Sequence, residues 1–238
     1  MTIVQPIRFG DEGQAATREL LRRFEHLARR KPELATHPLQ RHFRTLEAID
    51  RQYGGLSPLP LEDVPELVAV LLTGLAHLEQ DARRTDLHED LEDVAHLTIG
   101  VALWAMRHQA AVPVVEPVAN ALAIRSNRAA GKEELAAVYE LMQGLIDHVG
   151  PGLAADLERS NPERPWRILH ANLAITAIRT EDAAMMDHAF DALDRALPDE
   201  RANFYSQALA LALAPGIAPT VRERIEARHL KWTSQGNS

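Results

Sequence analysis

Apolar residues recur at three- and four-residue intervals along almost the whole chain, a spacing that one face of an α-helix demands and a β-strand does not. Leu20, Phe24 and Leu27, then Leu39, Phe43, Leu46, Ile49 and Tyr53, predict two amphipathic helices separated by residues 31–38. Val64, Leu67, Val68, Leu71, Leu75 and Leu78 predict a third. The cleanest stripe is Leu135, Val138, Tyr139, Met142, Leu145, Ile146 and Val149, which the Gly150-Pro151-Gly152 run is expected to end. No alternating segment long enough for a strand interrupts the pattern.

Between these stripes a long helix is expected over residues 86–111. Asp86 would cap it and Glu89 would reach back in the manner of a capping box. From Val94 to Met106 nearly every side chain is apolar, so this segment should be surrounded by other helices. Pro113 and Pro117 restart the chain into a helix through Arg128, and Gly131 breaks it. Residues 166–180, 182–197, 200–214 and 219–232 then read as four helices joined by a few residues each, which makes sequential neighbours antiparallel. The expected fold is all-α: ten or eleven helices, arranged as antiparallel hairpins in a repeat array or a compact multi-helix bundle. The expected divisions are a mildly basic helical pair over 1–53, a Gly/Pro-rich connection over 54–61, a central bundle over 62–160, and hairpins over 161–238.

A chain of 238 residues can bury a substantial core without staples. It has no cysteine, which excludes disulfides, thiol nucleophiles and thiolate metal sites. Its net charge of -8 argues against a general polyanion binder. The longest apolar stretches fall short of the roughly 20 residues that cross a bilayer, and the first residues carry no basic-then-apolar export pattern. A cytoplasmic protein with no membrane partner is expected. Residues 1–51 carry ten basic and seven acidic side chains, whereas residues 52–130 carry five and eleven. The two segments are expected to meet each other rather than an outside acidic partner. Arg22, Arg23, Arg29, Arg30, Lys31, Arg41, Arg44 and Arg51 alternate with glutamates, so a solvated face is the expectation and nucleic acid the minor alternative.

In the last third, Leu173 and Ala174 stand in a leucine-small pair, Phe190 follows at an aromatic position, and Pro198 lies eight residues beyond it. A shift of one 34-residue period brings Phe204, Ala208 and Ala227 into register. In this the region 167–233 resembles the tetratricopeptide repeat. It departs from that pattern at His170, Ala177, Met186 and Leu193, and in the shifted copy at Gln207 and Arg224. The resemblance implies a right-handed stack of helical hairpins that binds a protein or peptide on its concave face. The first helix of each pair would line that face, through Ile168, Ala171, Ile175, Ile178 and Arg179, then Tyr205, Leu209 and Ala212.

Other constellations point to chemistry less firmly. His88, Glu92 and His96 share one helical face at four-residue intervals, where two imidazoles and a carboxylate could hold a divalent ion. Asp93-x-x-His96 and Glu226-x-x-His229 echo the spacing found in di-iron bundles. Asp86, Glu89, Asp90, Glu92 and Asp93 could hold magnesium. The same run also suits the first turn of a helix. Asp182, Asp187, Asp191 and Asp194 read as the wet face opposite Met186, Phe190, Leu193 and Leu197. Trp104, Trp166 and Trp232 read as packing anchors. There is no glycine-rich phosphate loop, nucleophile elbow or His-Glu-x-x-His motif. The expectation is a non-enzymatic protein-interaction module with no cofactor and with self-association as a variant. Its binding residues would be Ile168, Ile175, Ile178, Arg179, Tyr205 and Leu209. A metal-dependent enzyme on the His88/Glu92/His96 face is the alternative from another class.

Overall fold

The computed structural model describes residues 13–31, 34, 37–54, 57–84, 88–153, 165–213 and 217–234. Asp86, the expected cap, lies outside them. The described residues form ten α-helices and no strand. They are α1 (Gly13–Arg30), α2 (Pro38–Tyr53), α3 (Val64–Arg84), α4 (His88–Arg107) and α5 (Glu116–Arg128). Then follow α6 (Lys132–Leu153), α7 (Pro165–Thr180), α8 (Ala183–Ala196), α9 (Arg201–Ala212) and α10 (Pro219–Ser234). The fold is all-α, and consecutive helices pack as hairpins in α1–α2, α3–α4, α7–α8 and α9–α10.

Two boundaries differ from the sequence reading. Helix α6 continues through Gly150 and Pro151 to Leu153. Proline deletes only one N–H donor, and a helix can absorb that loss in its last turn. Helix α4 stops at Arg107, short of residue 111, because Gln109 turns left-handed at φ 53. The Ala110 N–H bonds the Ala105 carbonyl and the Gln109 N–H bonds that of Met106, the paired bonds of a Schellman stop. Glycine usually takes that position; here no glycine announces it.

Two compact units divide the chain: Met1–Arg128 with Asp147–Val149, and Ala129–Ile146 with Gly150–Ser238. In the first, α4 packs against α1, α3 and α5. Val94, Ala95, Leu97, Val101, Ala102, Trp104 and Ala105 are buried, as their continuous apolarity requires. Phe24 and Phe43 stack at 5.1 Å between ring centroids, and Thr17 donates to Asp50, so α1 and α2 run antiparallel. Gly100 lets α4 approach α1: a methyl group there would overlap the Leu20 side chain, with Leu20 Cδ1 at 3.1 Å.

In the second unit, side-chain pairs fix helix directions. Lys132 meets Glu181 and Tyr139 meets His188, each pair 49 residues apart, so α6 and α8 run parallel. Asp187 meets Arg224 and Asp191 meets Arg228, each pair 37 residues apart, so α8 and α10 run parallel as well. Helix α9 returns antiparallel to α10, with Ser206 beside His229 and the Ala212 carbonyl beside Arg222. Helices α7–α8 and α9–α10 are thus two antiparallel hairpins that meet through α8 and α10.

Candidate functional site

Helix α7 is apolar on both sides, and only one side enters the core. Leu169, His170, Leu173, Ala174, Thr176, Ala177 and Thr180 are buried. On the other side Ile168, Ala171, Ile178 and Arg179 are half-buried, and Ile175 is 43% exposed. Five positions of the expected binding face therefore form one continuous strip outside the core. On α9 the expected residues separate. Leu209 is half-buried, Ala212 is buried and Tyr205 has no exposed surface. The Tyr205 ring packs edge-on to Phe190 at 5.3 Å, and its hydroxyl donates to Asp194 at 2.9 Å. Burial, reinforced by the Asp194 charge, raises the pKa of that phenol. A side chain so enclosed meets a docked segment only if the hairpin opens. Beyond it Leu211 and Leu213 stand in solvent at the end of α9.

The lower end of the α7 strip opens on a cavity of about 370 Å³. Leu135 of α6, Ile178 of α7, Ile217 just before α10 and Val221 of α10 supply its apolar wall, with the backbone turn at residues 129–131. Lys132, Arg179 and Glu181 supply its charges. Lys132 Nζ and Glu181 Oε2 are 2.7 Å apart, both on mobile-length side chains that reach solvent. Glu181 ends α7 in a left-handed conformation, φ 57, its N–H bonded to the Ile178 carbonyl at 3.1 Å, a helix stop that costs a residue carrying a Cβ about 1–2 kcal/mol. Of the cavity residues, sequence reading identified only Ile178 and Arg179. Lys132, Ile217 and Val221 belong to other elements, and spacing along one helix carries no signal for their convergence.

Two buried carboxylates organise the units. In the first, Asp50 of α2 is wholly buried and accepts from Trp104 Nε1 at 2.9 Å, Arg107 at 2.7 Å and Thr17. Its Oδ1 also lies 2.9 Å from His108 Nε2. Burial alone would raise the Asp50 pKa; the hydrogen bonds from His108 and Thr17 and the Arg107 charge outweigh it, leaving the carboxyl below its ordinary value. In the second unit, Asp194 accepts from Tyr205, from Arg228 at 2.7 Å and from Trp232 Nε1 at 3.0 Å. Asp194 is therefore not part of the wet face of α8. Its position four residues after Phe190 and three before Leu197 sets it on the apolar stripe, and that spacing was the readable signal. Asp182 instead caps α8, accepting from the Met185 N–H. Trp104 is the buried anchor expected of it.

The acidic run on α4 meets the basic α1. Asp93 pairs with Arg23 at 2.9 Å and with Arg30, and Asp90 pairs with Lys31 at 3.0 Å and Arg30 at 3.2 Å. Glu92 pairs with Arg128 at 2.9 Å. His96 is held neutral, its pKa pushed down to about 4 by burial and then by Arg23. The His88 side chain lies outside the described set. Among the described residues no group of three His, Asp or Glu side chains is placed to hold a metal ion, and no helix is long and apolar enough to cross a membrane. Glu226 and His229 lie on α10, where His229 faces Ser206 at 3.3 Å. The chain matches no protein-family model, and no curated protein or solved structure matches it.

Proposed function

We propose that this protein is a helical-hairpin interaction module that binds a protein or peptide partner along the open strip of α7. One observation carries the reading: Ile168, Ala171, Ile175, Ile178 and Arg179 stay outside the core along the full length of a helix whose opposite side is buried. Isolated exposed apolar residues need no explanation, whereas a contiguous strip marks a contact surface. The two hairpins α7–α8 and α9–α10, whose second helices run parallel, support the resemblance to tetratricopeptide stacks, in which the first helices face a ligand. An amphipathic helix or extended segment with two aliphatic residues would match the strip.

The test compares the wild type with Ile175→Asp and Arg179→Glu in stoichiometric capture from native lysate, alongside thermal unfolding of each purified variant. The reading expects loss of the same dominant partner from both variants at unchanged melting temperature. Retention of that partner by both variants overturns it, and so does recovery of the wild-type chain alone.

A further inference from the structure

We propose that the cavity between α6, α7 and the start of α10 is a binding site for a small uncharged apolar molecule. The inference goes beyond the α7 reading and does not rest on it, since strip and cavity share only Ile178 and Arg179. At about 370 Å³ the cavity falls within the size range of small-molecule sites. Leu135 and Val221, both buried, are its deepest lining residues, and the half-buried Ile178 and Ile217 complete the apolar wall. These four side chains offer a guest hydrocarbon surface alone, so covering them favours a guest that is itself apolar. Cavities lined by aliphatic side chains take up hydrocarbon guests in this way.

The charged lining residues are already matched. Lys132 and Glu181 hold each other at 2.7 Å, with both side chains reaching solvent, and Arg179 has a partner of its own. A charged newcomer therefore meets no waiting countercharge. It must either keep its head in water, which holds its tail short of Leu135 and Val221, or shed its hydration without compensation. An uncharged molecule incurs neither cost. Gly131 leaves room beside the turn: it lines the cavity, and an added Cβ there would meet no atom of the described residues within 4 Å. A bulky side chain at this position would enter the open space without displacing the wall.

Titration of the full chain with 1-hexanol, hexanoate and hexylamine at neutral pH, followed by methyl NMR, holds the tail constant and varies the charge. 1-Hexanol should shift the Leu135, Ile178, Ile217 and Val221 methyl resonances saturably, with both ions at least about tenfold weaker. 1-Heptanol should bind about fourfold tighter than 1-hexanol, the effect of one more buried methylene. Gly131→Trp should abolish the shifts at an unchanged melting temperature. Glu181→Gln uncovers Lys132 and should strengthen hexanoate severalfold while leaving 1-hexanol unchanged, a readout that stands even if the tryptophan variant does not fold. The assignment is overturned by the absence of a saturable shift at these methyls, or by either ion binding the wild type as tightly as 1-hexanol. Undiminished 1-hexanol binding in folded Gly131→Trp, or hexanoate binding unmoved by Glu181→Gln, overturns it as well. No readout here involves a protein partner, so failure of the cavity leaves the α7 reading standing.

Discussion

The His108 Nε2 atom lies 2.9 Å from Asp50 Oδ1, and neither side chain has any exposed surface. A carboxylate so enclosed is tolerable only because Thr17, Trp104 and Arg107 also donate to it. Three helices are tied through one side chain, and breaking the tie strands several polar groups at once.

Asp50→Ala should therefore destabilise the first unit by about 3–5 kcal/mol, the scale for removing one partner of a buried charged cluster. The sign of the pH dependence follows from the lowered Asp50 pKa. The folded state keeps its carboxylate where the unfolded chain binds a proton, so the contribution is complete above the ordinary aspartate value of 3.8 and is lost as pH falls through the lower folded value. Denaturant melts of wild type and variant should converge on acidification through that range.

His170 also costs stability on acidification, but through a growing penalty and not through the loss of a favourable contact. It is 3% exposed, and among the described residues neither ring nitrogen has a hydrogen-bond partner. Burial, followed by the Arg195 charge, pushes its pKa down to about 4 from 6.5. The unfolded chain then takes up a proton that the folded chain refuses. Its penalty is absent above pH 6.5, grows as pH falls at about 1.4 kcal/mol per unit, and levels off below about 4. His170→Leu should raise stability at neutral pH by about 1–3 kcal/mol, the cost of the unpaired nitrogens, and should flatten the acid limb. An unchanged acid limb would mean that His170 finds a water or a side-chain partner.

Tyr205→Phe removes only a hydroxyl that donates to Asp194. It should cost about 1–2 kcal/mol, because Arg228 and Trp232 still satisfy the carboxylate. The readout is the chemical denaturation midpoint, with an unchanged denaturant slope.

At Gly100 the effect is steric. Gly100→Ala should lose about 1–3 kcal/mol through overpacking against Leu20. In the double variant with Leu20→Ala, the total loss should fall short of the sum of the two single losses, since the shortened side chain removes the clash. Additive losses would show that α1 and α4 separate freely.

Helix type and order were legible because burial on one face writes its period into the chain. Val94 to Met106 showed its central place through unbroken apolarity, and the antiparallel pairs followed from short connections. Other features were not legible, for reasons that differ residue by residue. The stop at Gln109 uses a backbone conformation that no glycine or asparagine marks. Asp194 looked solvated because aspartate usually is, although its register with Phe190 and Leu197 set it inside. Tyr205 was read as a surface contact because an aromatic residue on an apolar helix suits a groove and a core equally. The cavity gathers Lys132, Glu181 and Val221 from elements far apart in sequence, and no local pattern records that meeting.

The Asp50 cluster also imposes an order on synthesis. Its carboxylate emerges with α2, while Trp104, Arg107 and His108 lie 54, 57 and 58 residues downstream. Until the ribosome has released that end of α4, the carboxylate must keep its water, and the Phe43 and Leu46 face beside it cannot close. The nascent α1–α2 pair thus waits with an unfinished interior, and the arrival of a single five-residue stretch turns a hydrated hairpin into the seed of a sealed unit.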